Sequence, residues 1–239
     1  MTQDQLSPKQ RFEKQSRPYG YYVLRPLGRL CLPLALKLGV TPNQVTVATL
    51  PVLLASFALY AAGGVGLSIA GVLVMHVGLV LDQVDGDLAR ATGKASPRGE
   101  FLDALVGYLY GAGLPPAIGY GVSRVPDLGH EAISSILDIP AEAYLQIGLW
   151  AGIGFLTTRL ISLRYQTLFA KSLREGAAGY GRAAMIFSST LPLVYVVGAA
   201  TQFLSLVLLA HAMFALLSLL YMIVGSYLGS ASASGGPRG

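Results

Sequence analysis

The sequence predicts an all-α integral membrane protein: a six-transmembrane-helix bundle preceded by an amphipathic helix in the cytoplasmic interface. Three observations carry that expectation. Of 239 residues, 53% are hydrophobic and 12% charged, with a mean hydropathy of +0.57, a balance that a soluble domain with one core does not have. Six apolar runs, at 43–62, 67–90, 99–122, 141–165, 184–200 and 202–229, fit spans of roughly 20 residues each. Finally, sixteen of the seventeen Lys and Arg residues, all but Arg124, fall in segments that six spans would place on one side.

Residues 1–40 form the first unit, a cytoplasmic segment carrying Lys9, Arg11, Lys14, Arg17, Arg25, Arg29 and Lys37. Within it, 18–38 alternates apolar and basic groups around Pro26 and Pro33, led by Tyr19, Tyr21 and Tyr22. Aromatic rings and long cationic chains both favour the headgroup layer, so an interfacial helix accounts for all of these features. A plain juxtamembrane linker is the competing reading. Cys31, the single cysteine, allows no intrachain disulfide and no thiolate cluster, and is expected to pack within that helix. The polar start lacks an apolar stretch with a small-residue cleavage site, so no removable signal peptide is expected.

Residues 41–230 form the membrane domain. Thr41 is suited to cap the first span and Pro42 to occupy its first position. The second-to-third connection carries Arg90, Lys94 and Arg98, and the fourth-to-fifth region Arg159, Arg164, Lys171, Arg174 and Arg182. Between the third and fourth spans, Arg124, Asp127, His130, Glu131, Asp138 and Glu142 make a net-acidic loop, which reads as outside. With Arg238 in the tail, the positive-inside rule puts both termini in the cytoplasm, matching an even number of spans. Residues 231–239 are small and are expected to be a flexible tail. The net charge of +5 is explained by segments that set orientation and meet anionic lipid, so no nucleic-acid partner is expected. The expected setting is a prokaryotic plasma membrane.

The chemistry-bearing residues sit at the cytoplasmic end of the second span. Asp82, Asp85, Gly86 and Ala89 recur at i, i+3, i+4 and i+7, which puts two carboxylates and two small residues on one helix face. Asp103, four residues beyond Gly99, falls at similar depth at the start of the third span if 91–98 is a short cytoplasmic turn. Three hard oxygen donors of this kind suit Mg²⁺ or Mn²⁺, ions that keep positions open for water and phosphate. Unpaired carboxylates at this depth cost several kcal/mol, which a cation offsets. The alternative is that the acids pair with Arg90, Lys94 and Arg98 in a solvated helix end.

The run Asp82-x2-Asp85-Gly86-x2-Ala89-Arg90-x8-Gly99-x3-Asp103 resembles the signature of the CDP-alcohol phosphotransferases, also called CDP-alcohol phosphatidyltransferases. These membrane enzymes make phosphatidylglycerol phosphate, phosphatidylinositol and related lipids. The order of elements, including Thr41-Pro42-Asn43-Gln44-Val45-Thr46 before the first span, resembles the family as well. The resemblance implies that Asp82, Asp85 and Asp103 bind one or two metal ions clamping the diphosphate of a CDP-linked donor. Gly86 and Ala89 then leave room for cytidine, Arg90 supports the diphosphate or the acidic cluster, and Gly99 lets the third helix approach. Asp103 and Arg90 are the implied catalytic residues. CDP-diacylglycerol as donor, a small polar acceptor and a homodimer are further implications.

One position departs from the signature: the family's fourth aspartate, which helps hold the second metal and takes the acceptor's proton, is here Gly107. Glu100, one turn nearer the aqueous mouth, and Tyr110, deeper on that face, are weak substitutes. Gly107-x3-Gly111 also reads as a helix-packing motif. Three functions follow: a CDP-alcohol transferase, a degenerate CDP-lipid-binding scaffold or regulator, and a CDP-donor hydrolase.

Other residues carry weaker signals. Arg159, a turn inside the fourth span, either forms an acceptor-phosphate site with Arg164, Lys171 and Arg182 or snorkels to the headgroups. Asp87 is expected to be solvated, and His76 and His211 to be neutral interhelical hydrogen-bond partners. Gly148-x3-Gly152 beside Trp150 fits either packing within the bundle or a dimer surface.

Overall fold

The computed structural model describes residues 14–169 and 180–234, and every regular element among them is helical. A π-helical turn at Gly20–Leu24 leads into α1 (Arg25–Leu38). There follow α2 (Pro42–Ala62), α3 (Val65–Thr92), α4 (Pro97–Arg124), α5 (Leu128–Leu137), α6 (Ala143–Phe169), α7 (Tyr180–Thr201) and α8 (Leu204–Ser234). Six of these match the predicted apolar runs to within a few residues. Four of them, α2, α3, α4 and the Leu204–Tyr227 stretch of α8, are long and apolar enough to cross a membrane; Met185–Thr201 of α7 is apolar but shorter. α8 continues to Ser234, past the boundary expected at 230; Lys9, Arg11, Lys171, Arg174 and the last five residues lie outside the described residues.

Local chemistry sets the helix ends at the carboxylate side. Thr41 closes a capping box on α2: the Gln44 amide donates to its Oγ1 at 3.3 Å while Thr41 N–H donates to Gln44 Oε1 at 2.8 Å, with Pro42 in the first turn. Gly93 ends α3 in the left-handed region at φ 66°, and Ser96 caps α4 by accepting from Gly99 N–H at 3.1 Å. The connection between the two carboxylate-bearing helices is therefore only 93–96, which keeps Asp82 and Asp103 at one end. Asp103 falls in the second turn of α4, which begins at Pro97, two residues before the expected 99.

α4 and α6 run antiparallel at near backbone contact. A Cβ at Gly119 would meet the Tyr144 carbonyl, one at Gly148 the Pro115 carbonyl, one at Gly152 the Ala112 carbonyl at 2.5 Å, and one at Gly111 the Phe155 ring. Small residues allow this approach, and dispersion is what holds helices together where surrounding lipid is as apolar as the core. Gly148-x3-Gly152 thus packs inside the bundle, while Trp150 between them faces outward. Gly107 does not pack: nothing lies within 4 Å of a Cβ placed there, so of the expected pair only Gly111 makes a helix contact.

The main core, including Met75, Ile118, Tyr144, Tyr195 and Leu208, lies on the side of the bundle away from the carboxylates. His211 meets expectation there, its Nδ1 at 2.6 Å from the Tyr195 hydroxyl across α7 and α8. His76 does not: Nδ1 faces the Val72 carbonyl of its own helix at 2.7 Å, its Nε2 has no partner among the described residues, and its ring meets Tyr19 edge-on.

The acidic segment after α4 contains a helix, α5, that its charge pattern did not announce. Asp127 caps it, Oδ1 accepting from His130 N–H at 2.9 Å and from the Ser205 hydroxyl at 2.6 Å, while Oδ2 accepts from Ser205 N–H at 3.0 Å. One carboxylate thus serves the start of two helices.

The glycine contacts make a direct prediction. Gly148→Val drives two methyl groups into the Pro115 backbone and should destabilise the protein by about 1–3 kcal/mol, seen as a lower unfolding midpoint in detergent. Gly66→Ala, where a Cβ meets nothing within 4 Å, should leave it unchanged. Equal behaviour of the two variants would contradict the α4–α6 packing described.

Candidate functional site

Helix periodicity brings Asp82 and Asp85 to one side of α3, and the short 93–96 turn folds α4 back so that Asp103 comes opposite. The Asp82 and Asp103 carboxyl groups approach within hydrogen-bonding reach, and Asp85 lies close enough to interact with both. Asp85 is buried, Asp82 half-buried and Asp103 exposed, so the cluster runs from the bundle interior to its open end.

Asp85 does not stand alone. The Thr46 hydroxyl on α2 approaches its Oδ2 at 2.5 Å. The same hydroxyl lies 3.1 Å from the Pro42 carbonyl, which anchors it to the capped end of α2. Three positions along, Asn43 Oδ1 sits 3.0 Å from where a Cβ at Gly99 would be. Gly99 therefore lets α4, the third predicted span, lie close to α2. Thr46 and Asn43 were missed as site residues. Their signal was present in Thr41-Pro42-Asn43-Gln44-Val45-Thr46, where one helical turn separates Asn43 from Thr46.

Arg90 turns to Asp87, 2.5 Å away, with its guanidinium nitrogens 3.4 Å from a Cβ placed at Gly86. Asp87 is paired rather than solvated, and its Oδ2 is buried with no partner among the described residues. Gly86 and Ala89 are half-buried on the carboxylate face. Glu100 is exposed, and the Tyr110 hydroxyl points at Met75 Sδ, 3.6 Å away.

Among the described residues no group of three His, Cys, Asp or Glu side chains is drawn close enough to ligate one ion as it stands. The donor set nonetheless fits a hard divalent cation. Two carboxyl groups as near as Asp82 and Asp103 repel unless positive charge is brought between them, and all the donors are oxygen. The Thr46 hydroxyl holds the Asp85 carboxyl group with the kind of hydrogen bond that orients a carboxylate for a cation.

On α6, the Arg159 guanidinium lies over the Phe155 ring, 5.5 Å from its centroid, and Arg159 is half-buried. Arg164 is exposed, and the Arg182 side chain lies outside the described residues. The α1 helix bears on the site from the other side: a Cβ at Gly28 would meet Gln83 Cβ at 2.9 Å, and Ala35 packs with Val84 and Leu88. Opposite that buried seam, Leu27, Leu30, Leu34 and Leu38 are exposed, as is Cys31, which is not packed as expected.

Residues 39–229 match the family model described as CDP-alcohol phosphatidyltransferase. A curated relative, the archaetidylinositol phosphate synthase of Pyrococcus horikoshii, is 43% identical over 100 residues, which are 41% of this chain and 50% of that protein. The chain thus spans about half the length of the curated relative it matches.

The Thr46 contact can be tested without any assumption about turnover. Thr46→Val keeps the shape of the side chain and removes the hydroxyl from Asp85, so Mn²⁺ affinity, read by titration of the purified protein, should fall about 10- to 100-fold. An unchanged affinity with intact folding would remove Thr46 from the site.

Proposed function

Because the chain belongs to the CDP-alcohol phosphatidyltransferase family, a family of membrane transferases, we propose that it moves a substituted phosphate from a CDP-linked donor to the hydroxyl of a small polar acceptor and releases CMP. The observation that carries this reading is the meeting of Asp82 and Asp103 across α3 and α4, with Asp85 beside them and hydrogen-bonded to α2. CDP-diacylglycerol is the proposed donor and phospholipid synthesis the proposed setting. The curated relative, named as making a phosphorylated inositol lipid, supports a polyol or polyol phosphate as acceptor.

Asp82, Asp85 and Asp103 would hold Mg²⁺ or Mn²⁺, which when bound neutralises the charge of a diphosphate. The chain's own residues do the rest. Gly86 and Ala89 leave the carboxylate face low enough for cytidine to lie against α3. Arg90, paired with Asp87, keeps a cation beside that face, where it can meet the diphosphate. Thr46 fixes the Asp85 carboxylate, and Arg159 and Arg164 offer the acceptor side an anion-binding edge. Phosphoryl transfer depends chiefly on such positioning and charge neutralisation, so catalysis does not hinge on one base.

We further propose six spans in a plasma membrane, with both termini and the site cytoplasmic, α1 lying in the interface with its exposed leucines in lipid, and a homodimer as the working assembly. Gly107 is the observation that favours a second reading: a chain lacking the family's last aspartate binds CDP-lipid as a scaffold or regulator, or directs water at the donor.

Purified protein incubated with CDP-diacylglycerol, Mn²⁺ and a panel of polyols and polyol phosphates should release CMP only when a suitable acceptor is present. Release without any acceptor would mean a hydrolase, and nucleotide binding without release a binding protein. Asp85→Asn should abolish Mn²⁺-dependent binding of the CDP-linked ligand while the protein still folds, and retained binding would count against the site. For topology, cysteines replacing Ala95 and Ser135 in a Cys31→Ser background should label from opposite faces of oriented membranes. Labelling from one face would undo the six-span arrangement.

A further inference from the structure

Gly86 shares the carboxylate face of α3, and what lies over it comes from its own helix. The three atoms nearest to a Cβ placed there all belong to the Arg90 guanidinium: Nη1 and Nη2 at 3.4 Å and the carbon between them at 3.8 Å. Arg90 Nη2 donates to Asp87 Oδ1 at 2.5 Å, and Arg90 is close enough to interact with the Asp85 carboxyl group. Asp87, which is not among the residues of the signature run, thus holds a flat cationic group across the lowest point of the carboxylate face.

Two details mark this contact as a movable cover. At 3.4 Å a methyl group would make ordinary van der Waals contact, so an alanine would fit beneath the guanidinium and the contact itself does not call for glycine. Glycine leaves room for something that comes nearer to the α3 backbone than Arg90 does. The pair is also unequal: the Arg90 side chain is 60% exposed and that of Asp87 only 18%, with Asp87 Oδ2 buried. The carboxylate is the fixed member and the arginine the mobile one, in an i,i+3 pair of the kind that is easily broken.

We propose that Asp87 sets the affinity for the cytidine moiety of the donor by holding Arg90 over Gly86, so that the nucleoside displaces the guanidinium to reach the α3 backbone. This rests on the transferase reading above, which puts cytidine against Gly86 and Ala89. The guanidinium and the nucleoside claim one space, and only one of them can have it. A diphosphate arriving with the nucleoside gives the displaced guanidinium a new anionic partner. Asp87 is a positioning residue: it acts on the donor through Arg90.

The test uses the full chain in detergent with Mn²⁺ and radiolabelled CDP, displaced by unlabelled CDP or by cytidine. Asp87→Asn should lower the inhibition constant of cytidine by about two- to fivefold. Cytidine is uncharged, so the loss of a negative charge near the site does not by itself produce that gain. Asp87→Glu keeps the charge and a reach to Arg90, and should bind cytidine as the parent protein does. Gly86→Ala meets only the movable guanidinium, so it should keep the parent's unfolding midpoint yet weaken cytidine by about tenfold or more. Three results overturn the inference while CDP binding leaves the transferase reading standing: an unchanged cytidine constant in Asp87→Asn, a folded Gly86→Ala protein that binds cytidine as the parent does, or cytidine that displaces CDP from none of them. CDP that binds none of the four proteins would bring down both.

Discussion

The place of α6 beside the carboxylate-bearing part of the bundle depends on how closely α4 can lie against it. Lipid gives two apolar helices little reason to prefer each other, so their association rests on dispersion and on the absence of side chains between their backbones. Gly119, Gly148 and Gly152 meet that requirement with carbonyls of the partner helix, and Gly111 does so with the Phe155 ring. One turn beyond Gly111, a Cβ at Gly107 would meet nothing within 4 Å, so the glycine series that joins the helices ends there.

A second set of constraints fixes the acids. The turn at 93–96, left-handed at Gly93 and capped by Ser96, reverses the chain, and α4 then packs against α2 and α6 rather than along α3. The capped start of α2 then delivers Thr46 to Asp85 and Asn43 to Gly99. Three helices, each with its end chemically specified, converge on one small volume. Three carboxyl groups are held close together there by packing elsewhere, an arrangement that functional sites tolerate and ordinary helix ends avoid.

Most of this was legible in the sequence because helical periodicity and hydropathy are local properties. The limits of α2 and α3, the shared face of Asp82 and Asp85, and the cap at Thr41 all follow from residues within a few positions of one another. What could not be read depended on partners distant in the chain. Thr46 and Asp85 are 39 residues apart. Nothing in Gly107-x3-Gly111 says that only the second glycine has a neighbour. Asp87 looked solvated because its pairing with Arg90 depends on a rotamer, not on spacing alone, and α5 was hidden because Asp127 caps it while also serving Ser205, 78 residues away. Of the six predicted spans, four have both the length and the apolarity to cross a membrane; polar residues such as Arg159 and Arg164 interrupt α6.

The brevity of the 93–96 turn has a consequence for how the site is distributed along the polypeptide. Every carboxylate, together with Thr46 and Asn43, lies between residues 41 and 103, whereas Phe155 and Arg159 arrive more than 50 residues later. During synthesis the acidic part is complete while α6 has yet to be made. The two are separable in inheritance as well: substitutions in α6 leave the α2, α3 and α4 residues that gather the acids unaltered.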